Sequence, residues 1–403
     1  MLPDPQAPPG QRARRRMRPA RLVAIAVMVL LLAGLAGLIN HNASQYYIFS
    51  PGTAPQLTTD SRCTGTSQLT LPGGKPCVRI SVPGAPVHPL DGRLLMVDVY
   101  VGTASFSDYL LHELGLLASL RDHSQLVRIS QYTGALTPAQ VQCADTAEMI
   151  GAQDDAPVAA LRRLGYRVPQ ADIGAVLYQV QPGTPAASAG LRCNDVITSF
   201  DGRPVSTAQQ LVADIRASRP GQTVRIGRRY FGPNGKTTGS STVTARLATT
   251  PAAVAAAGHL PASTAFLGVE AATDVTFRMP VPVHINAGAI GGPSAGLAFT
   301  LGIIDLLSGG HLTGGHAVAA TGEIDPSGNV IEVGGVAQKT VAVEAAGATA
   351  FIVPKGNYAD AMSTADGRIK IYPVTTLDQA LAVLGSLGGR IPPPNFAASH
   401  PLS

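Results

Sequence analysis

Charge is scarce in this sequence: Asp, Glu, Lys and Arg together make up 14% of 403 residues, low for a freely soluble cytosolic protein. No CxxC pair occurs among its four cysteines, which excludes zinc-ribbon and thioredoxin-type chemistry. No triplet period accompanies the 44 glycines and 32 prolines, so a collagen-like chain is excluded as well. A P-loop is also missing. Gly235-Lys236-Thr237 ends like one, but Tyr230 stands where its first glycine is required, and Pro233-Asn234-Gly235 reads better as a hairpin tip. The formal charge of +5 does not signal nucleic acid, because Arg12, Arg14, Arg15, Arg16, Arg18 and Arg21 crowd one short stretch. Without them the remainder is near neutral and has no basic stripe interleaved with aromatics. What is present is apolar: 45% hydrophobic residues and a mean hydropathy of +0.18 exclude a disordered chain, and the length suits two or three compact units.

One long hydrophobic run stands out. Leu22 to Ile39 contains no charged or strongly polar residue, and eighteen residues at about 1.5 Å each nearly cross a hydrocarbon core. The arginines just before it predict a cytoplasmic N-terminus, with the remainder beyond the membrane. A cleaved signal peptide, with Ala36 or Ala43 marking the processing site, is the competing reading. Its apolar region spans about 7–15 residues, and this one is longer, which favours an uncleaved anchor. Cys63 and Cys77 flank a Gly/Pro/Thr-rich loop and suit a local disulfide in an oxidising compartment. Cys143 and Cys193 are either a second pair or buried small side chains.

Beyond the anchor, Cys77–Val82 and Leu94–Val101 alternate with the period of strands. Phe106–Leu120 has helical apolar spacing, and Pro157–Leu164 reads as a short helix opened by proline and closed by Gly165. From Gly174 to Leu247 the punctuation is dense. Val176–Val180 is a strand ending at Pro182-Gly183, and a short helix then runs to Gly190. Val196–Phe200 follows as a second strand, turning at Asp201-Gly202, and Ser206 caps a helix carrying Leu211, Val212 and Ile215. The ordered run PGTPAxxAGLxxxDVIxxxDGxPV resembles PDZ domains of the bacterial protease-associated type. Such domains bind extended peptides by strand addition beside a helix. Leu164-Gly165-Tyr166 and Ile173-Gly174-Ala175 both remain candidates for the carboxylate-binding loop.

The last third carries the chemistry. Residues 288–296 read GAIGGPSAG and open an apolar helix, so Gly292 and Pro293 present Ser294 beside backbone amides. That arrangement serves an anion, or a nucleophile with oxyanion donors, or simply a helix cap. Thr321–Lys339 reads TGEIDPSGNVIEVGGVAQK. Lysines are only Lys75, Lys236, Lys339, Lys355 and Lys370, and an arginine holds its proton too tightly to act as a base. Lys339, among Val336, Ala337, Val341 and Ala342, can lose its charge by desolvation. Glu323 and Asp325 read as strand and turn residues, Lys355 as a surface charge. His284, His311 and His316 lack metal-ligand spacing, so neither metal nor cofactor is expected.

GGPSAGL followed by TGEIxxxGxVxxVGGxxxK resembles the proteolytic domain of Lon-family serine proteases over about residues 262–387. The resemblance implies a Ser–Lys dyad with Ser294 as nucleophile, Lys339 as general base, and Thr321 near the lysine. Ala289-Ile290-Gly291 and Ala337-Gln338 depart from the charged residues usual there. Taken together, the anchor, PDZ block and Lon-like block are similar to membrane-anchored, ATP-independent PDZ–Lon-like proteases. The expected fold is α+β: a transmembrane helix, a PDZ domain built as a small β-barrel with helices, and a Lon-type α/β domain. The expected units are a basic tail at 1–20, an anchor at 21–40, and a strand-rich region at 41–155 that belongs with the protease fold if Gly92–Val101 leads its sheet. A PDZ domain at 156–250, a Lon-type domain at 255–388 and a tail at 389–403 follow. Expected partners are polypeptide substrates in the PDZ groove and the membrane, with no nucleic acid; the resemblance further implies a hexameric homo-oligomer. A non-catalytic membrane-bound PDZ peptide sensor, or a GHMP-type small-molecule kinase, is the alternative function.

Overall fold

The computed structural model describes residues 19–65, 68–84, 88, 90–120, 122–134, 136–231, 237–261 and 263–402. The basic tail up to Arg18 and the Pro233-Asn234-Gly235 tip lie outside the described residues. Pro19–Ala43 is one helix, and its Ala26–Ala43 window has a mean hydropathy of 1.7 with only 6% buried. By length and composition it can cross a membrane.

A two-residue turn leads from this helix into the strand Tyr46–Pro51, the centre of an antiparallel sheet with Val99–Thr103 and Gln125–Arg128 on either side. The helical spacing over 106–120 resolves into two helices, Phe106–Glu113 and Leu117–Leu120. Gly115 between them has φ 69°, a left-handed conformation in which an α-helix does not continue.

A seven-stranded sheet forms the main body, in the order His284–Asn286, Cys77–Ser81, Gln56–Thr58, Arg93–Leu95, Ala317–Ala320, Ala350–Pro354, Lys370–Val374. Its last four strands are parallel, and Ala350–Pro354 is buried throughout, as a strand covered on both faces must be. The early segment is thus divided: Arg93–Leu95 pairs with Ala317–Ala320, while Val99–Thr103 turns away into the small sheet. Helix Gly296–Leu307 is apolar and buried on every side, and it packs on helix Pro138–Arg163.

That second helix corrects the short one expected from Pro157. It runs for 26 residues from a capping box, Thr137 with Gln140, and carries Pro157 inside it. The sequence TPxQ is the true start signal. The carbonyl of Ala156, beside the proline, accepts a hydrogen bond from Thr300 Oγ1 at 3.3 Å.

The PDZ-like block forms its own antiparallel sheet and core. Its strand order is Thr237–Arg246, Thr223–Phe231, Val196–Phe200, Gln170–Val180, Val269–Phe277, and its core includes Leu177, Ile197, Phe200, Leu211 and Ile226. Strand Val269–Phe277, from the stretch expected to be protease, therefore belongs to this sheet, and the helix before Gly165 packs in the core of the main body instead. The Asp201-Gly202 turn has φ 49° and 82° with Phe200 opposite Arg203, a hairpin of the primed kind. Thr207 rather than Ser206 caps the next helix, Ala208–Ala217, by accepting from Gln210 N. The cysteines pair as Cys63–Cys77 and Cys143–Cys193.

Candidate active site

Strands Arg93–Leu95 and Ala317–Ala320 are parallel neighbours, so the residues just past their C-terminal ends emerge along one edge of the sheet. Ligand sites in open parallel sheets gather at that edge. Here it brings Asp98 and Thr321 together with the loop before helix Gly296–Leu307 and the start of helix Val336–Ala345. A cavity of about 1100 Å³ opens among them, lined by Gly292, Pro293, Ser294, Lys339 and Asp98.

Gly292 has φ 82°, the left-handed conformation that turns the loop. Its amide donates to Asp145 O at 2.9 Å, and Gly296 N donates to Pro293 O at 3.1 Å. Ser294 is half-buried and does not cap the helix: the cap position is Ala295, without a side-chain bond. Among the described residues, Ser294 Oγ and the amides of Ser294 and Ala295 make no hydrogen bond. The Ser294 carbonyl is fixed instead, accepting from Gly322 N at 2.9 Å and Thr321 Oγ1 at 3.1 Å.

Lys339 is 3% exposed. Gly335, at φ 70°, starts its helix where a Cβ would press on Val99, so the chain comes close to the strand at this point. Lys339 Nζ donates to Thr321 Oγ1 at 3.3 Å, and Thr321 is fully buried. Thr321 thereby touches both the lysine and the serine backbone. No direct hydrogen bond joins Ser294 Oγ to Lys339 Nζ among the described residues. Burial pushes the Lys339 amine down to about 8, and the charge of Asp98 pulls in the opposite direction.

Asp98 was not singled out from the sequence. Its carboxylate accepts from Thr53 N at 2.5 Å and Thr53 Oγ1 at 3.0 Å; burial raises its pKa, while Thr53 and Lys339 lower it. An acid in the otherwise apolar run LLMVDVYV is the signal that marks it. Asp145 and Glu148, one helical turn apart on Pro138–Arg163, also line the cavity, and burial raises both carboxyls. The remaining expectations fall outside the cavity. Asp325 closes a turn by accepting from Ser327 N and Asn329 N, Glu323 pairs in a short strand, and Lys355 is exposed. His311 lies 3.3 Å from Asp91, and no metal-holding cluster occurs among the described residues.

The two PDZ loop candidates are both displaced from the edge of their sheet. Leu164 O accepts from Ala397 N and Gly165 sits against Pro394, both in the C-terminal segment. Ile173–Ala175 lies within Gln170–Val180, which has strands on either side. The sheet ends at Val269–Phe277, with helix Ala208–Ala217 beside it.

Comparison with known proteins gives two domain matches: a PDZ domain over residues 162–229, and the Lon protease (S16) C-terminal proteolytic domain over 237–385. Lon protease 1 of Sorangium cellulosum is 35% identical over 133 residues, 32% of this chain and 16% of its own length. The Lon protease of Chloroflexus aggregans is 34% identical over 127 residues, 30% of this chain and 15% of its own. The chain thus spans about one-sixth of the length of the curated relatives it matches. Among solved structures, the PDZ domain of an SdrC-like protein from Listeria monocytogenes is 20% identical over 25% of this chain and 87% of its own, with a TM-score of 0.20. The chain carries a PDZ domain and a Lon-type protease domain behind an N-terminal apolar helix.

Proposed function

We propose that this PDZ–Lon chain is a membrane-anchored, ATP-independent serine endopeptidase working with a Ser294–Lys339 dyad. The observation that carries the reading is an uncapped serine and a desolvated lysine on one cavity, linked through Thr321. A lysine with a pKa near 8 is partly neutral at physiological pH and can accept a proton. Rotation of its side chain from Thr321 toward Ser294 lets Nζ take the hydroxyl proton. The alkoxide then attacks a peptide carbonyl, and the unspent amides of Ser294 and Ala295 are the donors for the oxyanion. The protonated lysine returns its proton to the leaving amine, and neutral Lys339 next activates the water that releases the acyl group. The chain has no Walker-type loop, and none of these steps draws on a nucleotide.

In this reading the PDZ domain holds polypeptide by strand addition to the open edge of Val269–Phe277, beside helix Ala208–Ala217. The apolar helix anchors the chain, and the arginines before it favour a cytoplasmic N-terminus with both domains on the other side.

The test is a fluorophosphonate probe and an unfolded protein substrate, applied to the membrane-reconstituted chain. Ser294→Ala is expected to lose both labelling and cleavage. Lys339→Ala is expected to lose cleavage, while both variants keep the wild-type circular dichroism and PDZ peptide binding. Cleavage that survives either change removes the dyad; a wild-type chain that binds peptide and cleaves nothing is the sensor instead.

A further inference from the structure

Helix Phe106–Glu113 is apolar on two opposite faces. One face packs inward: Tyr109 and Leu111 join a small core of Ile48, Ala104, Leu117 and Leu126. Asp108 on this side is turned in as well, in a capping box with Ser105. The other face presents Phe106, Leu110 and Leu114, four residues apart along one stripe, at 37%, 38% and 61% exposure. Leu116 and Leu120, at 43% and 62%, extend the surface through the next helix. A helix apolar on both sides sits between two apolar surroundings, and only one of them is protein here.

The position of the helix identifies the other. Phe106–Glu113 packs against the anchor helix. Along the exposed anchor, burial begins only at its C-terminal end, with Ile39 and Asn42 half-covered and Ala43 fully covered. That end is where a helix spanning from Leu22 leaves the hydrocarbon and meets the headgroups. The strand that follows supplies Tyr46, whose ring is tilted against that of Tyr109 with centroids 5.5 Å apart and lies under Arg128 at 5.4 Å. Aromatic rings and cationic side chains are the residues that favour the headgroup level.

We infer that the Phe106–Leu120 helical pair lies on the outer surface of the bilayer beside the anchor, with the Phe106/Leu110/Leu114 stripe sunk into the lipid. The occupant of this face is the membrane itself, at the shallow depth of an in-plane amphipathic helix, about 5–10 Å into the headgroup–acyl boundary. The inference rests on the anchor reading, and it adds a second, monotopic contact that holds the catalytic body at a fixed attitude to the bilayer.

The sequence contains no tryptophan, so a single introduced one reports its own surroundings. The full chain is reconstituted into phosphatidylcholine–phosphatidylglycerol vesicles as Leu114→Trp, as Leu31→Trp within the anchor, and as Tyr358→Trp on another surface helix. Each is measured with lipids brominated near the glycerol or near the methyl end of the acyl chain. The expected result for Leu114→Trp is blue-shifted emission, quenched more by the shallow bromines than by the deep ones; Tyr358→Trp stays red-shifted and is quenched by aqueous acrylamide alone. Leu110→Trp repeats the measurement one turn earlier, should Leu114→Trp fold poorly. Red emission open to acrylamide at Leu114 overturns the inference. So does blue emission insensitive to every brominated lipid, because a second copy or another protein then covers the face. Leu31→Trp separates the two readings: if it is quenched by lipid and Leu114→Trp is not, the anchor stands and only the surface contact falls, whereas quenching at neither position overturns both.

Discussion

Lys339 is held between two opposed influences, and their balance sets the pH at which the proposed chemistry runs. Desolvation favours the neutral amine, and Asp98 favours the ammonium ion; desolvation is the larger, which leaves the group near 8 rather than 10.5. Because the base must be neutral, kcat/KM is expected to climb about tenfold per pH unit on the acid side and to level off above about 8. Asp98→Asn removes the opposing charge while keeping a side chain of the same shape for Thr53 Oγ1. The ammonium form then loses its support, so the acid limb is expected to move to lower pH, and the plateau is reached earlier. The pH profile of kcat/KM in the two proteins decides the matter. An unchanged limb means that Asp98 does not act on Lys339 electrostatically, and a limb moved to higher pH reverses the sign of the argument. A purely structural role for Asp98 lowers activity without moving the limb at all.

Among the secondary elements, the edge of the PDZ sheet rests on one glycine. Gly268 enters strand Val269–Phe277 at φ 87°, and any Cβ there runs into Thr184. Gly268→Ala is therefore expected to destabilise the PDZ sheet by about 1–2 kcal/mol from the backbone conformation alone, with the clash in addition. Loss of thermal stability and of peptide binding, with Ser294 still labelled by the probe, is the expected pattern. Wild-type peptide affinity in this variant dissociates the edge from recognition. The same strand shows what sequence could and could not supply. Ser294 and Lys339 stand out in the sequence because each sits in a contiguous motif, a glycine loop opening a helix and a double glycine followed by a lysine, and both line the same cavity. The Asp201-Gly202 hairpin was legible for the same reason, since its conformation is local. The Val269–Phe277 edge was not, because it joins the PDZ sheet from beyond the block that resembles a PDZ domain, and its pairing with Gln170–Val180 leaves no local motif. Asp98 was missed through a similar non-local pairing: only the alignment of Arg93–Leu95 with Ala317–Ala320 brings it to the lysine. Pro157 misled differently. Proline favours the first turn of a helix, but the capping box at Thr137 had already started this one.

At the scale of the whole molecule, the anchor and the cavity are joined by a single strand. Tyr46–Pro51 begins two residues after the anchor helix ends, and Phe49, Pro51, Gly52 and Thr53 along and just beyond it line the cavity. Thr53 is also the residue that holds Asp98. With that helix as the proposed anchor and the strand running on away from the bilayer, six residues of strand set the cavity about 20 Å from its surface. A polypeptide tethered to the same membrane then reaches the serine only through a linker that spans this gap. Fewer than about six extended residues fall short of it. A flexible linker is most effective when its root-mean-square length matches the span, at about a dozen residues, and longer ones dilute the cleavage site. The expected outcome for a graded series of membrane-tethered Gly/Ser-linked reporters, co-reconstituted with the full chain, is little cleavage at the shortest linkers, a maximum near a dozen residues, and a gradual decline beyond. The soluble form of the same reporter gives the baseline rate per unit concentration. Cleavage that is fastest at the shortest linkers moves the cavity down to the lipid surface. A rate indifferent to linker length instead breaks the connection between anchor and active site drawn here, because the strand from Tyr46 to Thr53 then fails to fix where the serine meets its substrate.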